Sequence, residues 1–253
     1  MNSIFVDIIL PNYNKEKFLE EAINSVLNQT FVNWKLYIID DASTDGSKLI
    51  IDKFKNNTKI IIKKLSKNKG PSFCRNLGIR LSSSNFIAFL DSDDYWTKNK
   101  LKDQMSFMTQ NNHNFTFSDF TPFFHLKNDK KFIKQTNTAS QFNLLKFTLN
   151  SSINTSTMIL SRNLIKKFKF KKIKKLEDYL FKCEILKKGI IAYKLNQNTA
   201  YYRILIKSRS SEKIKNIYNL WKINQKYLGY NIFLNLFSIL MISINSLKKY
   251  GIK

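Results

Sequence analysis

The sequence predicts an α/β fold, a mainly parallel sheet flanked by helices, and three observations carry that reading. Short apolar runs alternate with segments of helical period through the first hundred residues. Turn-forming clusters at 43–47 and Gly70-Pro71 punctuate them. At 253 residues, 43% hydrophobic and 14% aromatic, the chain can bury a full core, as one large domain or a domain with an appendage.

Each element follows from its residues. Residues 5–10 are an apolar run interrupted by Asp7. Phe18, Leu19, Ala22, Ile23, Val26 and Leu27 recur at helical spacing and predict an amphipathic helix over 16–28. Residues 34–39 form a second strand ending at Asp40 and Asp41. The cluster at 43–47 supplies turn and capping residues for a helix reaching about Lys55. Residues 60–65 are a third strand. Pro71 opens the next helix, where its missing N–H leaves nothing unpaired, and 86–90 are a fourth strand. In such sheets ligands bind beyond the carboxyl ends of the strands. Tyr13, Asp41 and Asp93 each follow a strand end, so three loops should meet at one crevice.

Downstream the pattern loosens. A helix is expected over 101–111, a strand over 115–120, a polar and basic loop or lid over 121–140, and a strand over 157–160. A basic stretch, 166–175, carries Phe168, Phe170 and Ile173. A helix then runs from Glu177 to a stop at Gly189. Two short strands, 191–195 and 200–204, precede a tail that reads as helical from Glu212 onward. Residues 228–247 are apolar nearly all round, apart from a narrow stripe of Asn231, Asn235, Ser238 and Asn245. That segment is short and interrupted for a spanning helix. With Lys248, Lys249 and Lys253 after it, it suits a membrane interface, and equally a helix docked on the main domain or on a second copy in a homodimer.

Charge is lopsided. Residues 1–125 carry 16 Lys and Arg against 13 Asp and Glu, a surplus of 3, whereas residues 126–253 carry 27 against 5, a surplus of 22. A surface this basic favours anionic partners such as acidic headgroups, lipid-linked phosphates or nucleic acid. Lys, Asn and Ile abound throughout, so part of the excess is compositional. Two cysteines, Cys74 and Cys183, build no disulfide framework and read as core residues in a reducing compartment. The first residues lack a basic region followed by a long apolar run, so no signal peptide is expected. His113 and His125 are the only histidines and lie far from the motifs below, which argues against Ser-His-Asp or Cys-His chemistry. No Gly-rich phosphate loop follows the first strand.

The densest chemical signal is Asp91, Asp93 and Asp94 directly after the fourth strand. Two carboxylates plus diphosphate oxygens suit Mg2+ or Mn2+. The competing reading is a solvated acidic turn capping the next helix. Arg75 offers a fixed fork to a diphosphate, or to Asp91 as a structural pair.

Six motifs follow one another along the chain. They are Val6-Asp7-Ile8-Ile9-Leu10-Pro11-Asn12-Tyr13-Asn14, Ser25-Val26-Leu27-Asn28-Gln29-Thr30 and Ile38-Ile39-Asp40-Asp41-Ala42-Ser43-Thr44-Asp45-Gly46. Gly70-Pro71-Ser72-Phe73-Cys74-Arg75-Asn76-Leu77-Gly78, Phe89-Leu90-Asp91-Ser92-Asp93-Asp94 and Glu177-Asp178 follow. In this order they resemble the motifs of family 2 glycosyltransferases; the match is dense over 4–110, patchier over 150–205 and absent in the tail. The resemblance implies a GT-A fold, a nucleotide-sugar donor (a UDP-sugar first), a divalent metal, Mg2+ or Mn2+, and inversion at the anomeric carbon.

It also assigns roles. Pro11, Tyr13, Asp41, Arg75, Asp91, Ser92 and Asp93 would bind the donor, with Tyr13 stacking on the base and Asp41 accepting from a ring N–H. Asp93, helped by Asp91, would hold the metal, and Asp178 would be the catalytic base. Glu177, Asp94 and Arg203 are further candidates. The Tyr202-Arg203 segment lacks the family's usual His, near Leu205 or Ile206, which leaves its contact with the donor open.

The implied unit spans 1–211, with a donor half to about 112 and an acceptor half over 113–211, followed by a tail over 212–253. The expected activity is transfer of a sugar to a glycan acceptor, lipid-linked, in lipopolysaccharide or capsule synthesis. The expected place is the cytoplasm, peripheral at the inner membrane face against anionic lipid. The alternative is a catalytically silent nucleotide-sugar-binding subunit. Nucleic acid is suggested by charge alone and is not expected as a partner.

Overall fold

The structure, a computed structural model, describes residues 4–125, 130–134, 138–205 and 213–250. β1 (Val6–Asn12), α1 (Glu16–Leu27), β2 (Trp34–Asp40), α2 (Ser47–Asp52), β3 (Ile60–Lys64), α3 (Pro71–Leu81) and β4 (Phe86–Phe89) bear out the expected alternation. Their strands pair in parallel in the order β3-β2-β1-β4. α2 ends before Lys55 because its last turn tightens to bonds three residues back, such as the Phe54 amide on the Ile51 carbonyl.

Side-chain alternation puts a core on each face of this sheet. Ile8, Leu10, Ile38 and Ala88 pack with Leu19, Ile23 and Val26 of α1 on one side. Ile9, Ile87 and Phe89 join the second core on the other. Gly78 of α3 lets that helix lie directly on β1, since a Cβ there would fall 2.5 Å from Ile9 Cγ2. Asp7, the break in the first apolar run, is fully buried. It accepts from the amides of Ser83 and Ser84, both at 2.7 Å, which ties the loop before β4 to β1.

The remaining elements are β5 (Tyr95–Trp96), α4 (Lys100–Gln110), β6 (Phe115–His125), β7 (Lys130–Phe132), β8 (Gln141–Phe142), α5 (Leu144–Asn150), β9 (Ile159–Ser161), α6 (Arg162–Ile165), α7 (Glu177–Leu186), β10 (Ala192–Ile204), α8 (Lys213–Ile223) and α9 (Ile232–Tyr250). They extend the sheet through β9, β6, β10 and β5, so the whole is mixed, with its longest ladders parallel.

Two expectations need correction. The stretch 121–140 is not an open loop where it is described: β6 continues to His125 and β7 folds back on it antiparallel. Aromatic packing holds that hairpin, with the Phe123 and Phe132 rings 5.6 Å apart and Phe132 also against Tyr201. Residues 126–129 and 135–137 lie outside the described residues. The two short strands at 191–204 are one strand, β10. Its register against β6 shifts around Asn198, so the polar run Asn196-Gln197-Asn198 is an irregularity within a strand and not a break.

Cys74 and Cys183 are buried and unpaired, and burial pushes both thiols up, away from reactivity. Lys100 is the unexpected core residue. Its Nζ donates to Gln104 and, at 3.2 Å, to the Thr157 carbonyl, and lies 4.9 Å from the Trp96 ring centroid. None of these partners is an anion, and burial pushes its pKa down to about 7. Unfolded lysine keeps its proton to about pH 10.4. Between pH 7 and that value the unfolded chain therefore binds more protons, and stability rises with pH by up to about 1.4 kcal/mol per unit. Lys100→Met should flatten this slope in denaturant titrations at pH 7, 8 and 9; an unchanged slope would show that the ammonium is not the source.

Candidate active site

The loops after β1, β2 and β4 are stitched together at the carboxyl ends of their strands. Asn12 donates to Asp40 Oδ1 at 2.8 Å, and the Ser43 hydroxyl donates to the same oxygen at 2.6 Å. Asp40 is thus a fully buried loop organiser. Asp41 serves the neighbouring loop instead, since its two oxygens accept the Lys69 amide at 2.7 Å and the Gly70 amide at 2.8 Å. Gly70 has φ 86°, a left-handed conformation that a side chain would strain, and the turn it makes brings α3 to the crevice. Asn14 and Ala42, both at positive φ, mark tight turns beside Tyr13 and Asp41. Tyr13 is 46% exposed, an aromatic face open at the rim.

Arg75, on α3, is the hub. Its guanidinium is buried and donates to Asp91 Oδ1 at 2.7 Å and to Glu177 Oε1 at 3.4 Å. One side chain therefore joins the acidic turn after β4 to the acidic pair that opens α7. Its Nε is buried with no hydrogen-bond partner among the described residues.

A second bridge is a 3₁₀ turn, Thr155–Thr157. The Asp91 amide donates to Ser156 Oγ at 3.1 Å, and the Ser156 hydroxyl donates to Asp94 Oδ2 at 2.6 Å. The adjacent Thr155 hydroxyl donates to Asp178 Oδ2 at 3.2 Å. The two bridges bring Asp91, Asp93, Asp94, Glu177 and Asp178 into one neighbourhood, although Asp94 and Glu177 lie 83 positions apart in the chain.

The carboxylates then separate by environment. Asp94 is buried, with Oδ1 accepting the Arg203 amide at 3.0 Å. Burial, then the charges of Asp93 and Asp91, push its pKa well above the usual carboxylate range. Arg203 is likewise inside. Its Nε donates to the Asp93 carbonyl at 2.9 Å, it pairs with Glu21, and it stacks near Phe18 and Phe123. Ser92 is buried within the turn.

Asp93 and Asp91 stay partly open, with side chains 23% and 31% exposed. Asp93 meets Lys15 Nζ at 2.7 Å. Glu177 is 8% exposed and held by Arg75, whereas Asp178 is 36% exposed. Among the described residues no side chain caps α7, and its entry residue Leu176 has φ 63°. Asp178 Oδ2 instead accepts from Lys182 Nζ at 2.8 Å, and that buried ammonium also donates to the Ile153 carbonyl. Burial works to raise the pKa of Asp178. Lys182 first, then Arg75 and the Thr155 hydroxyl, outweigh it and hold the carboxyl well below the usual range.

Sequence reasoning missed Lys15, Ser156 and Lys182. An acid followed four residues later by Lys on a helix was a readable signal for Lys182. Lys15 was hidden by the abundance of lysine, and Ser156 carries no local signal at all.

The donor set suits a hard divalent cation of the kind that takes one or two carboxylates and completes its shell with water and phosphate oxygens. Among the described residues no cluster of three or more acidic, His or Cys side chains forms a closed cage. Asp91 and Asp93 offer oxygen ligands that are already poised against cations, namely Arg75 and Lys15.

The chain resembles known proteins along most of its length. It is 32% identical over 224 residues to the putative teichuronic acid biosynthesis glycosyltransferase TuaG of Bacillus subtilis, covering 85% of each chain. It is 33% identical over 224 residues to the UDP-Glc:alpha-D-GlcNAc-diphosphoundecaprenol beta-1,3-glucosyltransferase WfgD of Escherichia coli, covering 88% of this chain and 86% of that one. The crystal structure of Staphylococcus aureus TarS 1–349 matches at TM-score 0.71 and 22% identity, covering 98% of this chain and 73% of that one. That match supports the GT-A fold. The family model described as glycosyl transferase family 2 matches residues 7–174, stopping just before Glu177. With that model spanning every motif from Asp7 to Asp94, the chain belongs to glycosyl transferase family 2.

Proposed function

We propose that the protein is an inverting, metal-dependent glycosyltransferase. It takes a sugar from a nucleoside diphosphate donor, a UDP-sugar, and places it on a hydroxyl of a lipid-linked glycan in surface polysaccharide synthesis. The observation that carries this reading is Arg75, which links open Asp91 to the acidic pair at the start of α7. The name of TuaG supports the product class, and that of WfgD supports a UDP-linked donor and a diphosphoundecaprenol acceptor. The transferase unit is residues 1–211, with the donor half ending at about 112. Because nucleotide sugars are made in the cytoplasm, the reaction belongs at the inner face of the membrane. Among the described residues no helix is long and apolar enough to cross a bilayer.

The roles divide by position in the crevice. Pro11 and Tyr13 line the base site, and Asp41, while its oxygens hold the Lys69 and Gly70 amides, would use a remaining lone pair to accept a ring N–H. Arg75 supplies a guanidinium N–H to the diphosphate while it holds Asp91. Asp93, with Asp91, would hold Mg2+ or Mn2+, which when bound neutralises charge on the departing diphosphate. Asp178 accepts the acceptor hydroxyl proton as the oxygen attacks the anomeric carbon from the face opposite the diphosphate. The bond from that carbon to the diphosphate oxygen breaks, and its electron pair leaves on the nucleoside diphosphate. Among the described residues both side-chain hydrogen bonds to Asp178 go to Oδ2, which leaves Oδ1 to take the proton. Glu177, buried on Arg75, positions the hub. Asp94 and Arg203 hold the acidic turn in shape.

A panel of nucleotide sugars, screened for metal-dependent protection against thermal unfolding and then for transfer, tests this function. One UDP-sugar should raise Tm more than the others, and more with Mn2+ than with chelator. Protection without transfer to any lipid-linked acceptor would favour the silent binding subunit. No protection by any nucleotide sugar would remove the donor site.

A further inference from the structure

α9 is amphipathic the wrong way round for a helix packed on a domain. All of its polar stripe but the exposed Asn231 faces inward, beside Ile239 and Ile242, which pack on the core. Asn235 and Ser238 are buried: Asn235 donates to the Trp221 carbonyl at 3.1 Å, and Ser238 donates to the Thr148 carbonyl at 2.6 Å. Asn224 donates to both of them, at 3.1 Å each, and Asn245 donates to the Leu149 carbonyl at 3.0 Å. The outward face is apolar: Ile232, Phe233, Leu236, Phe237, Leu240 and Leu247 are between 46% and 83% exposed. At about 100° per residue these six share one arc of roughly 140°, along a length of about 22 Å. Contiguous exposed apolar surface of this kind marks an interaction site.

Charge says what it meets. Residues 213–250 hold six lysines, at 213, 215, 222, 226, 248 and 249, and no Asp or Glu. A second copy of the chain would bring two such lysine-rich segments together, each on a molecule of net charge +25, with no carboxylate in the segment to pair with them. An anionic bilayer supplies both an apolar layer and a negative rim. A helix with one apolar face in a lysine-rich segment free of carboxylates suits the plane of such an interface.

We propose that the outward face of α9 docks the protein on an anionic lipid bilayer, with Phe233, Leu236 and Phe237 entering the acyl boundary. The inward stripe gives this docking a consequence. The Tyr179 hydroxyl donates to Asn224 Oδ1 at 3.0 Å, so Asn224 links α9 to the residue that follows Asp178. The docked helix therefore fixes the height of Asp178 above the lipid surface. That last step rests on the proposed function; the docking does not.

The test is co-flotation of the full chain, without donor or acceptor, on vesicles of phosphatidylcholine with about one-third phosphatidylglycerol, against vesicles of phosphatidylcholine alone. The chain should float with the anionic vesicles, less so as salt rises. The combined variant Phe233→Gln, Leu236→Gln, Phe237→Gln should bind at least tenfold more weakly with its circular dichroism and Tm unchanged, because all three side chains are exposed. Equal binding by the variant, or equal binding to both vesicles, overturns the proposal. So does a wild-type dimer that ignores vesicles and becomes a monomer in the variant, which would make a second copy the occupant. Loss of flotation and loss of transfer are separate results, since flotation needs neither substrate.

Discussion

Asp178→Asn should lower kcat by roughly 10²- to 10⁴-fold, the usual contribution of a positioned base, while donor affinity stays put. The substitution is nearly isosteric. An amide oxygen still accepts from Thr155 and Lys182, so the fold of α7 is kept and only the proton-accepting charge is lost. Thermal protection by the nucleotide donor separates the two effects. A variant that keeps more than a tenth of wild-type turnover would sink the assignment. The pH dependence follows from the same contacts. With its pKa held well below the usual carboxylate range, mainly by Lys182 against the opposing effect of burial, Asp178 is ionised throughout pH 5–8. The free enzyme's kcat/KM should then show no acid limb in that window. Lys182→Met removes the strongest opposing cation, so the acid limb should move to higher pH. Arg75 remains beside the pair, so the limb rises without the site losing its hub. The sign of that movement is the check, because a purely structural Lys182 would lower the whole profile without shifting it.

The donor half is legible in the sequence because local chemistry and global fold agree there. The apolar runs that form β1, β2, β3 and β4 alternate with helices that cover the sheet, and the turn residues at 43–47 and Gly70 sit where the chain turns. Asp7 reads as a flaw in a strand, yet it is the anchor for the Ser83 and Ser84 amides, a long-range partnership that no local pattern encodes. The acceptor half is less legible for the same reason. β7 exists because Phe132 packs on Phe123 and Tyr201, and β10 spans a polar run because β6 pairs with it on both sides of the irregularity. At the site, motif order predicts which residues converge, but not how. Arg75 reads from sequence as a partner of Asp91, and it is one; its hold on Glu177 depends on α7 arriving from 102 residues away. The tail's polar stripe is visible in the sequence, but its direction is not. A hydrophilic stripe normally faces water, and here all of it but the exposed Asn231 turns inward, because Asn224, Thr148 and Leu149 offer hydrogen-bond partners.

Asp93→Asn should reduce turnover by about 10³-fold, several kcal/mol of transition-state charge stabilisation, and should abolish the part of donor protection that depends on metal. The comparison that gives this meaning is Asp91→Asn. Asp91 shares its carboxylate with a buried guanidinium, and breaking one side of such a pair leaves Arg75 under-compensated. Asp91→Asn should therefore lower Tm as well as activity, whereas Asp93→Asn, whose partner Lys15 is partly exposed, should leave Tm nearly unchanged. The Lys15 ammonium at 2.7 Å is itself a cation on the proposed ligand, so any divalent ion must compete with it for Asp93. Lys15→Met should then lower the Mn2+ concentration needed for half-maximal donor protection, read as a Tm shift with a non-hydrolysable nucleotide sugar. An unchanged Mn2+ requirement in Lys15→Met, together with full metal-dependent protection in Asp93→Asn, would take the metal away from Asp93. Asp91 would be left as the sole candidate ligand, and Arg75 would compete with the metal for it.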